Sequence, residues 1–225
     1  MQDELNQEPI YQGQFGVFTI TAADRREVIL YRAGMITMAL CCGSGALLAW
    51  NSPQLLLSWF TPLLALFSLA LGLSLWTVHI YLGFLHRFLQ LCWGIGTLSA
   101  LVFFLNRGDQ PLALILYSHP LTLLGVGFIF VSLTGLFFKE AFCFNRLETK
   151  ILTLLVPGLL LGHLFQILPP AWELRLLLGW GLLFSVFALR KSLQPIPPDI
   201  GDKSVFTYLR NPQAFSADPH LNEAA

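Results

Sequence analysis

Apolar residues in this chain fall into long runs separated by short polar or proline-bearing breaks, too long and too continuous for amphipathic surface helices. Ahead of the first run, Gln14 to Ile20 alternates as a short strand would. Thr21, with Asp24 three residues on, then reads as a capping box, so a helix is expected from Ala22 into a first span of about Val28 to Trp50. Asn51, Ser52 and Pro53 close it. The run Leu55 to Leu82 exceeds one upright span, and Thr61–Pro62 supplies an N-cap and first-turn proline within it. That divides it into an interfacial segment, Leu55 to Phe60 with Trp59 at headgroup level, and a second span, Pro62 to Leu82, closed by Gly83. Span three is Phe88 to Leu105. Leu112 to Tyr117 meets His119 and Pro120, so it is either an interfacial segment before a span from Pro120 to Phe138 or part of one kinked span from Pro111. Asn145 and Glu148 read as a second cap, followed by span five, Leu147 to Leu168; Pro169 and Pro170 break it, and span six is Leu174 to Leu189.

Composition agrees with this pattern. Of 225 residues, 55% are hydrophobic and 12% charged, with a mean hydropathy of +0.65, against roughly 45–50% and about 25% in soluble domains. A soluble globular fold, a disordered chain and a collagen-like chain are excluded. The expected fold is an all-α polytopic integral membrane protein of about six transmembrane helices, divided into an N-terminal segment (1–27), a six-helix bundle (28–190) and a C-terminal tail (191–225). Met1 to Glu8 is acidic without a basic n-region, so the first span is expected to be an uncleaved anchor. The net charge is zero, which removes the basic field that nucleic-acid binding needs. Its distribution is nonetheless one-sided: with six spans, 11 of the 13 Lys and Arg fall on the side of the termini, Arg107 and Arg175 alone on the other. By the positive-inside rule both termini are expected in the cytoplasm or a stromal equivalent.

Chemistry is sparse. The thirteen acids fall in tails or loops of this assignment or, for Glu148, in the first turn of span five, which argues against a proton-coupled pathway through the midplane. Four cysteines without a CxxC pair give no metal or disulfide framework, and no metal site is expected. His79, His119 and His163 are candidate axial ligands for chlorophyll or haem, although histidines hydrogen-bonded to neighbouring helices explain them as well. His119 and His163 share a predicted depth. Gly158xxxGly162 beside His163 allows close helix approach, and Pro157 allows a kink. The densest cluster is Lys139 to Lys150, KEAFCFNRLETK, expected as a cytoplasmic loop. Much of it is explained as a topological anchor and helix cap. The rings Phe142 and Phe144, with Lys139, Glu140 and Arg146, additionally suggest a partner-binding surface, whereas nothing supports Cys143 as a catalytic nucleophile. The tail from Ser192 is expected to be extended or loosely packed, with Val205 to Leu209 and Phe215 able to fold back on the bundle or meet a partner.

Gly135 to Lys150 (GLFFKEAFCFNRLETK), together with Ile20 to Arg25 (ITAADR), resembles a family of uncharacterised integral membrane proteins of cyanobacteria and plastids. The resemblance implies a thylakoid or plasma membrane of a photosynthetic cell and carries no catalytic or binding residues with it. The functional expectation is a non-enzymatic factor that assembles, stabilises or organises a membrane complex, with the bilayer and that complex as partners. The alternatives are a facilitator or transporter of a small solute and a pigment- or haem-binding membrane protein.

Overall fold

The computed structural model describes residues 9–210. A two-stranded antiparallel hairpin, β1 (Ile10–Gly13) and β2 (Gly16–Thr19), precedes the helices. The expected lone strand is therefore half of a hairpin that turns at Gln14–Phe15, with Gly16 at φ 124°. The first long helix, α1 (Ala22–Asn51), starts at the expected box: Thr21 Oγ1 accepts from the Asp24 amide at 3.2 Å and Asp24 Oδ2 accepts from the Thr21 amide at 2.7 Å.

The split of the second run does not occur. A single helix, α2 (Pro53–Thr77), carries Pro62 in its interior, and it ends at Thr77 rather than Leu82. Pro53 already supplies the first-turn proline, nine residues before Pro62, and a bilayer helix tolerates an interior proline better than an aqueous one. Next, α3 (Gly83–Asn106) begins earlier than expected and takes His86 into its first turn. The stretch after it resolves as the first of the two alternatives: a short α4 (Leu112–Ser118), a 3₁₀ turn at Pro120–Thr122, and α5 (Leu123–Phe144). Two more long helices, α6 (Leu147–Leu164) and α7 (Pro170–Ser192), complete the bundle. Six helices (α1, α2, α3, α5, α6 and α7) are long and apolar enough to cross a membrane.

Broad packing joins α2 to α1, α1 to α7, α7 to α6, α6 to α5 and α5 to α3. Fully buried Phe137 of α5 meets Phe184 and Phe187 of α7 edge-on. Close helix approach is set by glycines other than the expected pair. A Cβ on Gly96 of α3 would meet the Ile129 backbone of α5, and one on Gly34 of α1 would meet Ser74 and the Ala70 carbonyl of α2. Gly158 faces open space and Gly162 packs on Leu168, so the Gly158xxxGly162 spacing joins no two helices here.

The chain after α7 is packed rather than extended or loose, and Val205 to Leu209 fold back as their apolar positions suggested. Two short helices, α8 (Pro197–Ile200) and α9 (Lys203–Arg210), return to the end of the bundle that carries the hairpin, which we call the terminal face. Ile200 is buried with Ile20 and Val28, and Phe15 stacks on Tyr208 at 4.0 Å. Asp202 Oδ2 accepts from the Gln14 amide at 2.6 Å, Ser204 Oγ from the Phe15 amide at 3.0 Å, and Asp24 Oδ2 from Lys203 Nζ at 2.7 Å. Phe215 lies outside the described residues.

Candidate contact face and its buried charge network

Lys139 to Lys150 is not a loop. Lys139 to Phe144 form the last turns of α5, Asn145 and Arg146 are the whole connection, and α6 starts at Leu147. Asn145 is not the cap of α6; it ends α5 in the left-handed conformation (φ 50°), which asparagine adopts more readily than most residues, and its amide donates to the Ala141 carbonyl at 3.0 Å.

The continuation of α5 turns the expected polarity inside out. Phe138 and Phe142, four residues apart on one helix face, point outward, with Phe142 84% exposed. Lys139 is buried and Glu140 is 0% exposed. These two were expected on a contact surface, but each finds a partner inside, and that is what lets the helix run past Phe138. Glu140 therefore lies inside a helix long and apolar enough to cross a membrane, near its end as Glu148 and Glu173 are near the starts of theirs. It stands four residues from the end of α5, about 6 Å along the axis, well away from the midplane.

Glu140 joins three helices. Its Oε1 accepts from Tyr31 Oη of α1 at 2.8 Å and from Lys139 Nζ at 3.0 Å, and its Oε2 accepts from Lys191 Nζ of α7 at 2.6 Å. Lys191 also pairs with Asp199 Oδ1 of α8 at 2.6 Å and lies 3.9 Å from the centre of the Phe144 ring. Asp199 in turn accepts from Arg32 Nε of α1 at 2.9 Å, and the rest of the Arg32 fork holds the carbonyls of Gln194 (2.6 Å) and Pro195 (2.9 Å). Arg146 reaches the Gln194 side chain at 2.6 Å. Arg190 chelates Glu148 nearby at 2.8 and 2.9 Å. One connected set of charges thus fastens α1, α5, α7 and α8 together at the terminal face. Its chemistry is that of a lock, since each carboxylate is shared between fixed cations.

At the α2–α3 link of the same face, His79 Nε2 lies 3.2 Å from Glu27 Oε2. Burial keeps its imidazole below the usual histidine range, with the charges of Glu27 and Asp24 opposing that shift. Tyr81 accepts from the Asp202 amide, and burial pushes its phenol up. At the opposite end, His163 Nδ1 lies 2.7 Å from Glu173 Oε1 and its Nε2 3.2 Å from the Tyr117 carbonyl, so both ring nitrogens are engaged. Tyr117 Oη donates to Glu173 Oε2 at 3.0 Å; burial and this bond raise its phenol. His163 meets Tyr117 and Glu173 here, while His119 is exposed. Among the described residues no group of three His, Cys, Asp or Glu is placed to hold a metal ion.

Tyr31, Arg32, Lys191 and Asp199 escaped the sequence reading. The positions of Arg32 and Lys191 near span ends carried a signal, but topological anchors look the same in sequence.

An all-α bundle of six membrane-length helices defines a polytopic integral membrane protein. The chain belongs to the uncharacterized integral membrane protein family DUF2301, whose pattern matches residues 73–208. The matched stretch takes in Lys139, Glu140, Lys191 and Asp199, as well as α8 and most of α9. No curated protein and no solved structure matches the chain.

Proposed function

We propose that this protein is a non-enzymatic factor that assembles or stabilises a membrane protein complex, with the terminal face as its contact surface. The observation that carries this reading is the inverted end of α5. Its charges are sequestered in a rigid network and its Phe142 ring is presented outward beside exposed Cys143. A face already ordered by buried ion pairs and by the docked hairpin, α8 and α9 loses little conformational freedom when it binds, which favours recognition. Exposed aromatic rings on such a platform are the usual anchors of protein contacts. The core of the bundle is packed with apolar side chains, an arrangement less suited to a polar solute than to a scaffold.

The same proposal places the terminal face in the cytoplasm or stroma, because 11 of 13 basic residues gather there, and places the protein in a thylakoid or plasma membrane of a photosynthetic cell on the resemblance of Gly135 to Lys150 and Ile20 to Arg25. The test is purification in mild detergent after crosslinking in the native membrane, comparing wild type with Phe142→Ala, a substitution at an exposed site that should not disturb folding. A defined set of co-purifying membrane subunits that Phe142→Ala depletes is the expected result. Recovery of the protein alone in both cases would overturn the proposal.

A further inference from the structure

The hairpin on the terminal face has an edge with no strand beside it. Gln14–Phe15 is a two-residue turn, so the pair flanking it, Gly13–Gly16, is hydrogen-bonded, and so is Tyr11–Phe18 two steps further along. Val17 and Thr19 therefore turn their N–H and C=O groups away from β1. Among the described residues no third strand lies on that side. Lys203 Nζ of α9 donates to the Thr19 carbonyl at 3.2 Å, so the free edge looks toward α9. Val17 is 68% exposed, and among the described residues nothing bonds to its outward N–H or C=O.

A cleft of about 440 Å³, the size of a ligand site, lies along this edge. Val17, Phe18 and Thr19 of β2 line it, together with Lys203, Phe206 and Thr207, which share one face of α9 at positions i, i+3 and i+4. These walls select the kind of occupant. Lys203 Nζ is matched by Asp24 Oδ2 at 2.7 Å, and His79, which also lines the cleft, has its Nε2 3.2 Å from Glu27 Oε2. Neither is left over to hold a phosphate or an acidic headgroup. An acyl chain would satisfy neither backbone group of Val17. A second extended backbone satisfies both at the ordinary strand spacing of about 4.8 Å. The residue of that backbone opposite Phe18 turns its side chain to the Phe18 side of the sheet, and the Phe18 and Phe206 rings in the cleft wall favour an apolar one there.

We infer that the cleft between β2 and α9 binds an extended peptide segment of a partner membrane protein, paired backbone to backbone with Val17 and carrying an apolar side chain opposite Phe18. The inference rests on the reading of the terminal face as a protein contact surface and adds to it a strand-addition site separate from Phe142.

The test uses the full chain in lipid nanodiscs and a displayed library of random linear peptides, with the enriched peptides synthesised and their affinities measured by fluorescence anisotropy. Val17→Pro removes the outward N–H without breaking a bond between β1 and β2, a position where an edge strand tolerates proline. It should weaken the enriched peptides about five- to tenfold, the worth of one hydrogen bond. Thr207→Trp, at an exposed position of α9, fills the cleft and should abolish binding. An unchanged melting temperature reports that each variant is folded. Amide exchange in the wild type decides the matter even if a variant fails to fold: the Val17 amide should exchange faster than that of Phe18 in the free protein and become protected when peptide binds. The assay needs neither Phe142 nor a native complex, so its failure is distinct from failure of the co-purification test. Enrichment of no peptide, affinities unchanged in both folded variants, or a Val17 amide left unprotected by bound peptide would overturn the inference.

Discussion

Replacing Glu140 with leucine removes the carboxylate on which three donors converge: Tyr31 Oη at 2.8 Å, Lys139 Nζ at 3.0 Å and Lys191 Nζ at 2.6 Å. Lys191 would keep Asp199 at 2.6 Å, and Arg32 would continue to hold that aspartate. Lys139, itself buried, would lose its carboxylate partner, and Tyr31 would lose its acceptor. An uncompensated buried charge costs about 3–5 kcal/mol, and Glu140→Leu should destabilise the protein by that amount. Removing the whole local set should restore most of it. The combination Tyr31→Phe, Lys139→Met, Glu140→Leu and Lys191→Met leaves apolar groups of similar volume, and such replacements of buried ion pairs are about neutral. Equilibrium unfolding in mixed micelles by added dodecyl sulfate, followed by tryptophan fluorescence, measures both variants. A loss below about 1 kcal/mol in Glu140→Leu, or a fourfold variant as unstable as the single one, would refute the reasoning that these charges are truly sequestered.

Three further outcomes are expected. Cys143, exposed at the end of α5, should react with a membrane-impermeant maleimide only from the cytoplasmic or stromal side, while Cys41, Cys42 and Cys92 stay protected; labelling from the other side would reverse the proposed orientation. Gly96→Ala should destabilise the α3–α5 contact by about 1–3 kcal/mol in the same unfolding assay, because the added methyl meets the Ile129 backbone rather than a side chain that can swing away. Acidification should loosen the terminal face in two steps. His79 is held below its ordinary value chiefly by burial, so its contribution is present above about pH 6.5 and is lost as pH falls below that, the unfolded form protonating first. Burial alone would raise Asp202, but hydrogen bonds from the Ser204 side chain and the Gln14 amide outweigh it and hold the carboxyl low, so its grip on the hairpin persists above about pH 4 and fails as pH falls further. Amide exchange should therefore show the α2–α3 link losing protection at pH 5.5 while residues 10–19 keep theirs.

The spans were legible because length and hydropathy alone decide them, and the Thr21–Asp24 box fixed the start of α1 because a cap is local chemistry. Where the sequence misled, a distant partner had outweighed a local signal. Lys139 and Glu140 look like the start of a loop unless Lys191 and Tyr31, 51 and 109 residues from Glu140, are known to meet them. The fold-back of Val205 to Leu209 was legible in its apolar positions, but the docking of α8 was not, because the Arg32–Asp199 pair, 167 residues apart, cannot be seen along the chain. Thr61–Pro62 carried the right signal for a helix start, but Ser52–Pro53 carried it earlier.

The terminal face as a protein contact surface is tested most directly by photo-crosslinking in the native membrane. A photoreactive phenylalanine analogue at position 142 is compared with one at position 154, where Leu154 of α6 is 75% exposed within a membrane-crossing helix. Discrete protein adducts are expected from position 142 and lipid adducts alone from position 154. Lipid adducts alone from both positions would contradict it.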